Sequence, residues 1–429
     1  MSIDRTTMPS FTEVKGIELL PMERPGDVGA WPVYALNAGL QDVVRIDLAF
    51  YLTGGSRAAF MADRAANAML RDGTKSRSFL EMAEILDGYG SHLGLHTEGN
   101  HAFVTLYALN RNLAHVIPVL RDLVMNATYP QDPFDVYRSN QVQTIRVNQK
   151  KVAKCARERF LDQLFGDQHM YGFTPVEEDV NALKREDVLK AHARVYGALG
   201  HYAFVAGKLP DTLGEQMREL LADIRVAEKM PDLSVPAGAD QPDRVFIPVE
   251  GSVQAAIRIG KRTVSKIHPD YPGLQVLNTI LGGYFGSRLM TNIREDKGYT
   301  YGISSGVASL PDAGYFFIAT EVGGEVCGKA IREINHELDR LRTEPIPAEE
   351  LDLVRNYLLG SLMRSADGPF GQADMYKGLL HYGLDIRYLE NLVETIRVIT
   401  PQQLRDLALK YLDPSTMHQV VAGPEGCMD

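Results

Sequence analysis

The sequence predicts an α+β protein of two homologous domains, each a mixed or antiparallel sheet packed with helices. Three observations predict it: a proline-rich break near the midpoint, an order of elements that recurs on either side of the break, and a core-forming composition in a chain too long for one domain. The 429 residues are 45% hydrophobic and 23% charged, the balance of a globular chain rather than a disordered one. That length suits two cores of about 200 residues each.

The break is residues 229–243, KMPDLSVPAGADQPD, with Pro231, Pro236, Pro242 and Gly238. Such a composition resists helix and strand and reads as an extended linker between a domain at 1–228 and one at 244–429. In the first half an apolar run at 43–52 reads as a strand. Ser78 with Glu81 forms a capping-box pattern, and Gly88 is placed to end that helix. Tyr89-Gly90 then leads to a strand at 101–109 (HAFVTLYAL), a helix at 113–125 and long apolar-periodic helices over 133–165. In the second half a strand at 253–259 is followed by a helix that Pro272 opens and Gly282-Gly283 stops. Tyr301-Gly302 leads to a strand at 314–322 (GYFFIATEV) and to helices at 325–341 and 348–363. The matched order indicates two copies of one α+β unit rather than a solenoid.

The net charge of −10 argues against nucleic-acid or anionic-membrane partners, which want basic stripes. It is compatible with steering basic peptides, although acidic proteins are common. No apolar run reaches the ~18 residues that a membrane span needs. Cys155, Cys327 and Cys427 are scattered and odd in number, offering neither a CxxC zinc pattern nor a disulfide framework. The first twenty residues lack a basic stretch followed by an apolar one. Together these give a cytoplasmic expectation.

Three segments carry a family resemblance: GTKSRSFLEMAEILDGYGS (73–91), DQHMYGFTPVEEDVNALKREDVLKAHARVY (167–196) and LNTILGGYFGSRLMTNIREDKGYTYGISS (277–305). In this order they make the chain resemble the pitrilysin/insulinase family of zinc metallopeptidases, over roughly residues 30 to 425. The smaller bacterial two-domain members and the subunits of mitochondrial processing peptidase look nearest. The resemblance implies a LuxS/processing-peptidase-like fold.

Active members carry H-x-x-E-H on a helix. Histidines four apart share one helical face and reach one zinc, while the glutamate between them serves as general base for metal-bound water. In FMADRAANAMLRDGT (60–74), anchoring on Gly73-Thr74 puts Arg64, Asn67 and Ala68 at those positions. A cation, an amide and a methyl group do not replace ligand, base and ligand. The third ligand, a glutamate on a later helix, falls near Gln143 or Thr144, and no H-x-x-E-H or H-E-x-x-H string occurs anywhere. The expectation is that this chain binds no metal and that zinc belongs to a partner. His92, His96, Glu98 and His101 are close in sequence, but on a strand His92 and His96 stand about 13 Å apart, too far to share a metal. They read as solvent-facing or edge-strand histidines, and His169, His192 and His381 as scattered residues in ordinary hydrogen bonds.

The other half of the catalytic equipment is present. Arg294 is expected near the end of a helix starting about Ser287, and Tyr301 at the start of the next strand. By the resemblance, residues at these positions donate to the scissile carbonyl oxygen and stabilise the oxyanion of the tetrahedral intermediate, a role that suits a guanidinium and a phenol. Without the resemblance the same pair reads as a helix cap and a core edge. Gly282, Gly283 and Gly286 lack the context of a nucleotide-binding loop. The resemblance suggests a flexible or substrate-contacting loop there, and tight-turn geometry explains glycines equally well.

The resulting expectation is a non-catalytic subunit of a zinc metalloendopeptidase, without autonomous activity. It pairs with an H-x-x-E-H-bearing subunit around a chamber for unfolded peptides and supplies Arg294 and Tyr301 in trans. Substrate is expected to add as a strand to an edge at 92–98 or 253–260. Homodimerisation is compatible with this reading. The alternatives are a structural, assembly or peptide-binding subunit with no part in catalysis, and an autonomous peptidase with an unfamiliar metal site.

Overall fold

Each half of the chain builds one sheet, and each sheet takes a helix from the other half. The computed structural model describes residues 18–428 except 53–54, 232–234 and 236–241. The N-terminal stretch and most of the linker expected at 229–243 therefore lie outside the described residues.

The first half runs β1 (Glu23–Val28), β2 (Trp31–Asn37), β3 (Val43–Tyr51), α1 (Arg57–Ala68), α2 (Phe79–Gly88), β4 (His92–Glu98), β5 (His101–Leu109), α3 (Leu113–Asn126), α4 (Gln131–Asn148), α5 (Val152–Phe165), α6 (Glu177–Ala182), α7 (Arg185–Ala198), β6 (Gly200–Gly207) and α8 (Leu213–Leu221). The second runs β7 (Arg244–Pro248), β8 (Gln254–Thr263), α9 (Tyr271–Asn278), β9 (Thr300–Leu310), β10 (Ala313–Gly323), α10 (Cys327–Thr343), α11 (Ala348–Ser365), α12 (Gly368–Leu380), α13 (Ile386–Val398), α14 (Pro401–Tyr411) and β11 (His418–Gly423). The β4–β5 and β9–β10 hairpins correspond, and Tyr89-Gly90 and Tyr301-Gly302 stand at the same distance ahead of their turns. The architecture is the α+β class expected.

Local chemistry accounts for the element starts. Ser56 caps α1 by accepting from the Ala59 amide, and Ser78 with Glu81 closes a capping box on α2. Pro272 opens α9, and a π-helical turn, Thr279–Gly283, carries the chain to the expected glycine stop.

The sheets are ordered β1-β2-β6-β3-β5-β4 and β7-β11-β8-β10-β9. One expectation is corrected here: the strand at 253–260 is not an edge. It forms β8, flanked by β10 and β11, because the last strand of the chain returns to pair with it. The edges are β7 and β9 in that sheet and β1 and β4 in the other.

The helix exchange explains why β3 is buried along nearly its whole length despite Arg45 and Asp47. One face packs into the first core. The other meets α12, whose Ala373, Tyr376 and Leu379 share a cluster with Leu36, Tyr202 and Phe204. Lys377 of α12 lies 3.0 Å from Asp47, Arg45 lies 2.9 Å from Asp47, and Arg45 also lies 2.8 Å from Asp374, so the buried charges neutralise one another across the two halves. Reciprocally, α5 lays Phe160 and Leu164 on Ala256, Val420 and Ala422 of the second sheet. Gly260 permits that approach, since a Cβ there would stand 2.9 Å from the Phe160 ring.

Candidate functional site

Helix α1 buries Ala62, Ala65 and Ala66 against the first core and leaves Arg64 and Ala68, one turn apart, exposed on the opposite face. That face opens on a cavity of about 490 Å³ lined by Arg64, Asn67, Ala68 and, from α4, Thr144. The four positions singled out in the sequence thus converge, and Thr144 rather than Gln143 faces the space. Leu95, His96 and Thr97 of β4 form a further wall.

The residues present do not fit zinc. Arg64 is a cation held over the Phe60 ring at 5.0 Å, and Ala68 has no donor atom. The Asn67 oxygen accepts the Tyr196 hydroxyl at 2.7 Å, and the Thr144 hydroxyl donates to the Asn140 carbonyl at 2.7 Å. Among the described residues no group of three His, Cys, Asp or Glu is placed to hold a metal ion. Burial raises the Tyr137 phenol on the cavity wall to about 12, the Arg64 charge opposing, so it stays a neutral donor.

His92 and His96 lie exposed on the edge strand β4, as expected. His101 does not. It is 2% exposed, its Nε2 stands 2.9 Å from Nδ1 of His201, and its ring stacks on His381 at 4.5 Å. His381 in turn pairs with the Tyr202 hydroxyl at 2.8 Å. Of the histidines that looked scattered, His381 joins His101 and His201 in one cluster between the sheet of the first half and the end of α12, whereas His192 pairs with the Tyr129 hydroxyl and His169 lies beside Phe165 and Tyr171. Burial pushes His201 and His381 down to about 4 and His101 well below its ordinary value.

Arg294 sits in a wide helical turn, Met290–Asp296, and Tyr301 is the second residue of β9, close to the expected placement. Both line a hollow of about 630 Å³ with Gln254, Thr300 and Glu321. Tyr301 is 96% exposed, while Arg294 is half-buried over the Phe285 ring at 4.4 Å. Tyr301 also borders an adjoining hollow that reaches Ala153 of α5, and the next residue, Lys154, lines the α1 cavity. The α1 cavity and the Arg294/Tyr301 hollow have no lining residue in common; α5 lines the first through Lys154 and Glu158 and, through Ala153, only the hollow that adjoins the second.

The three glycines lie apart from this hollow. Gly282 is buried, and a Cβ there would stand 2.7 Å from the Ser305 amide. Gly283 lies against Thr279, and Gly286 lies under the Tyr284 ring and borders a separate hollow with Arg288 and Glu350. Close packing explains the first two directly. Sequence reasoning missed the α5 residues Lys154, Arg157 and Glu158, because nothing local told which sheet α5 would join.

Comparison with known proteins finds relatives over most of the chain. A family model described as the Peptidase M16 inactive domain matches residues 182–358. An uncharacterized zinc protease of Mycobacterium tuberculosis is 23% identical, covering 98% of this chain and 93% of the relative. A non-peptidase homolog from Helicobacter pylori is 19% identical over 79% of this chain and 78% of its own. The crystal structure of a peptidase M16 inactive domain from Pseudomonas fluorescens superposes with a TM-score of 0.82 at 20% identity, covering 94% of this chain and 98% of that one. Over its second half this chain is thus similar to the inactive domain of M16 peptidases, and over nearly its whole length it is similar to proteins named as zinc proteases and shares the fold of an M16 inactive domain.

Proposed function

We propose that this chain is the peptide-holding, non-catalytic subunit of a zinc metalloendopeptidase. The observation that carries the reading is the α1 cavity: its walls and strand edge are intact while all four ligand-related positions are chemically disabled. Strand β4 pairs only with β5 among the described residues, so its other edge is free to accept an extended peptide beside Arg64 and Ala68. Backbone pairing gives affinity with loose sequence preference. Zinc and the general base belong to an H-x-x-E-H-bearing partner. Arg294 and Tyr301, accessible in their own hollow, offer that partner directed donors for the developing oxyanion.

The test is affinity purification of the chain from its own host with identification of what accompanies it. A near-stoichiometric H-x-x-E-H relative, and cleavage of unfolded peptide by the pair but by neither alone, supports the reading. Recovery of the chain by itself, binding no peptide, overturns it. A second reading, a scaffold without a part in proteolysis, is favoured by two observations: the non-peptidase naming of the H. pylori relative and the engagement of Arg294 by Phe285. A stoichiometric partner without any peptidase motif would select it.

A further inference from the structure

The α1 cavity continues past Arg64 into a second space of about 290 Å³, with Arg64, Thr97, Lys154, Glu158, Thr174 and Pro175 lining both. Aromatic rings form much of the second wall, among them Phe60, Phe165, Phe173 and Tyr315. The charged groups on the combined lining are Arg64, Lys154, Arg157 and Glu158. Glu158 is already matched, since Lys154 lies 3.2 Å from it. Arg64 and Arg157 have no carboxylate partner among the described residues; Arg64 has only the face of Phe60. Beyond Arg157, on the second sheet, stands Arg258, which likewise rests on a ring, Phe317 at 5.3 Å, instead of a carboxylate. Burial first and the Arg157 charge second pull the Arg258 guanidinium below its ordinary value, with Tyr315 and Glu321 opposing. This positive excess is local, for the chain as a whole carries −10.

An arginine beside aromatic surface is a poorly hydrated fork that matches a carboxylate with two parallel hydrogen bonds. An apolar wall strengthens that pairing by lowering the local dielectric. A peptide extended along β4 presents every second side chain to the same wall, at a repeat of about 6.6 Å. We infer that the cavity selects acidic peptides, with aspartate or glutamate side chains of an extended substrate received by Arg64 and Arg157. This runs against the basic substrates that the net charge alone would suggest. It rests on the peptide-holding reading above and deepens it by naming the substrate class.

The test is fluorescence anisotropy on the purified full chain with short extended peptides carrying one common dye. One has glutamate at alternate positions and an amidated C-terminus; others replace glutamate by glutamine or by lysine; a last one is the glutamine peptide with a free C-terminal carboxylate. The glutamate peptide is expected to bind about tenfold more tightly than the glutamine peptide, and the lysine peptide most weakly. The margin is expected to shrink as ionic strength rises from about 50 to about 500 mM. The double variant Arg64→Gln, Arg157→Gln is expected to lose the margin while keeping the affinity for the glutamine peptide. Should that variant fail to fold, the peptide and salt series on the unaltered chain decides by itself. Equal binding of glutamate and glutamine peptides overturns this inference and leaves the peptide-holding reading standing. Binding of none of the peptides overturns both. A preference seen only for the free C-terminus overturns side-chain recognition in favour of terminal carboxylate capture.

Discussion

Asn67 accepts a 2.7 Å hydrogen bond from the hydroxyl of Tyr196, and both side chains are buried. The position that the family resemblance aligns with a general base is here a structural acceptor on α1 that ties it to α7. Replacing it by alanine leaves a buried phenol without its partner. Asn67→Ala is expected to lower stability by about 1–3 kcal/mol, read as a fall in the denaturation midpoint. An unchanged midpoint would mean that water replaces the amide.

The convergence of Arg64, Ala68 and Thr144 on one cavity lets the metal site that the family resemblance implies at these positions be tested by building it. The fourfold variant Arg64→His, Asn67→Glu, Ala68→His, Thr144→Glu is expected to take up one zinc per chain, since it restores three ligands and leaves a position open. Without Thr144→Glu, affinity should fall at least about tenfold, measured by titration calorimetry and metal analysis. If Gln143→Glu served where Thr144→Glu did not, the register assigned to α4 would be wrong.

The histidine cluster predicts acid lability. His201 and His381 have folded values near 4, below the ordinary unfolded value of about 6.5. Between those limits the unfolded chain binds more protons than the native one, so stability present above pH ~6.5 is lost as pH falls toward 4. The slope is about 1.4 kcal/mol per pH unit for each histidine at most. His381→Gln keeps an acceptor for Tyr202 but no longer titrates, and should flatten the slope in urea melts from pH 7 to pH 4.5. A flat profile for the unaltered chain would refute the cluster.

Much of the secondary structure was legible because it is locally encoded. Ser78 with Glu81, Pro272 and the run HAFVTLYAL each specify an element from a few residues. The register over Gly73-Thr74 likewise brought Arg64, Asn67, Ala68 and Thr144 to one cavity. What local signals do not encode is the partner of an amphipathic face. Nothing in VAKCARERFLDQLF tells that α5 joins the second sheet, or in GPFGQADMYKGLL that α12 joins the first. Each miss follows from that gap: the His101–His201–His381 cluster depends on α12, the Lys154 and Arg157 wall depends on α5, and the internal position of β8 depends on the return of β11.

The helix exchange predicts that the halves unfold together. Asp47, 1% exposed, accepts from Thr105 at 2.6 Å and sits between Arg45 and Lys377. Asp47→Ala leaves buried cations short of their counter-charge, which costs about 3–5 kcal/mol. Because Lys377 belongs to the second half, the loss should fall on the docking of α12. One calorimetric transition in the unaltered chain is expected to split into two in the variant. A single transition merely shifted downward would place the coupling elsewhere, with α5 as the next element to test.

Arg294 and Tyr301 separate the two functional readings. Tyr301 is 96% exposed and Arg294 rests on an exposed ring, so Tyr301→Phe and Arg294→Ala should each change stability by no more than about 0.5 kcal/mol. If the pair donates to the oxyanion in a partner's active site, each variant still assembles. The reconstituted complex should then lose about 10²–10³ in kcat with little change in KM, the signature of a donor used in the transition state. Full kcat in both variants would leave the pair inherited but unused, and this chain a holder of peptide alone. A rise in KM with kcat retained would instead assign the pair to ground-state binding along β9, the exposed edge of the second sheet on which Tyr301 stands.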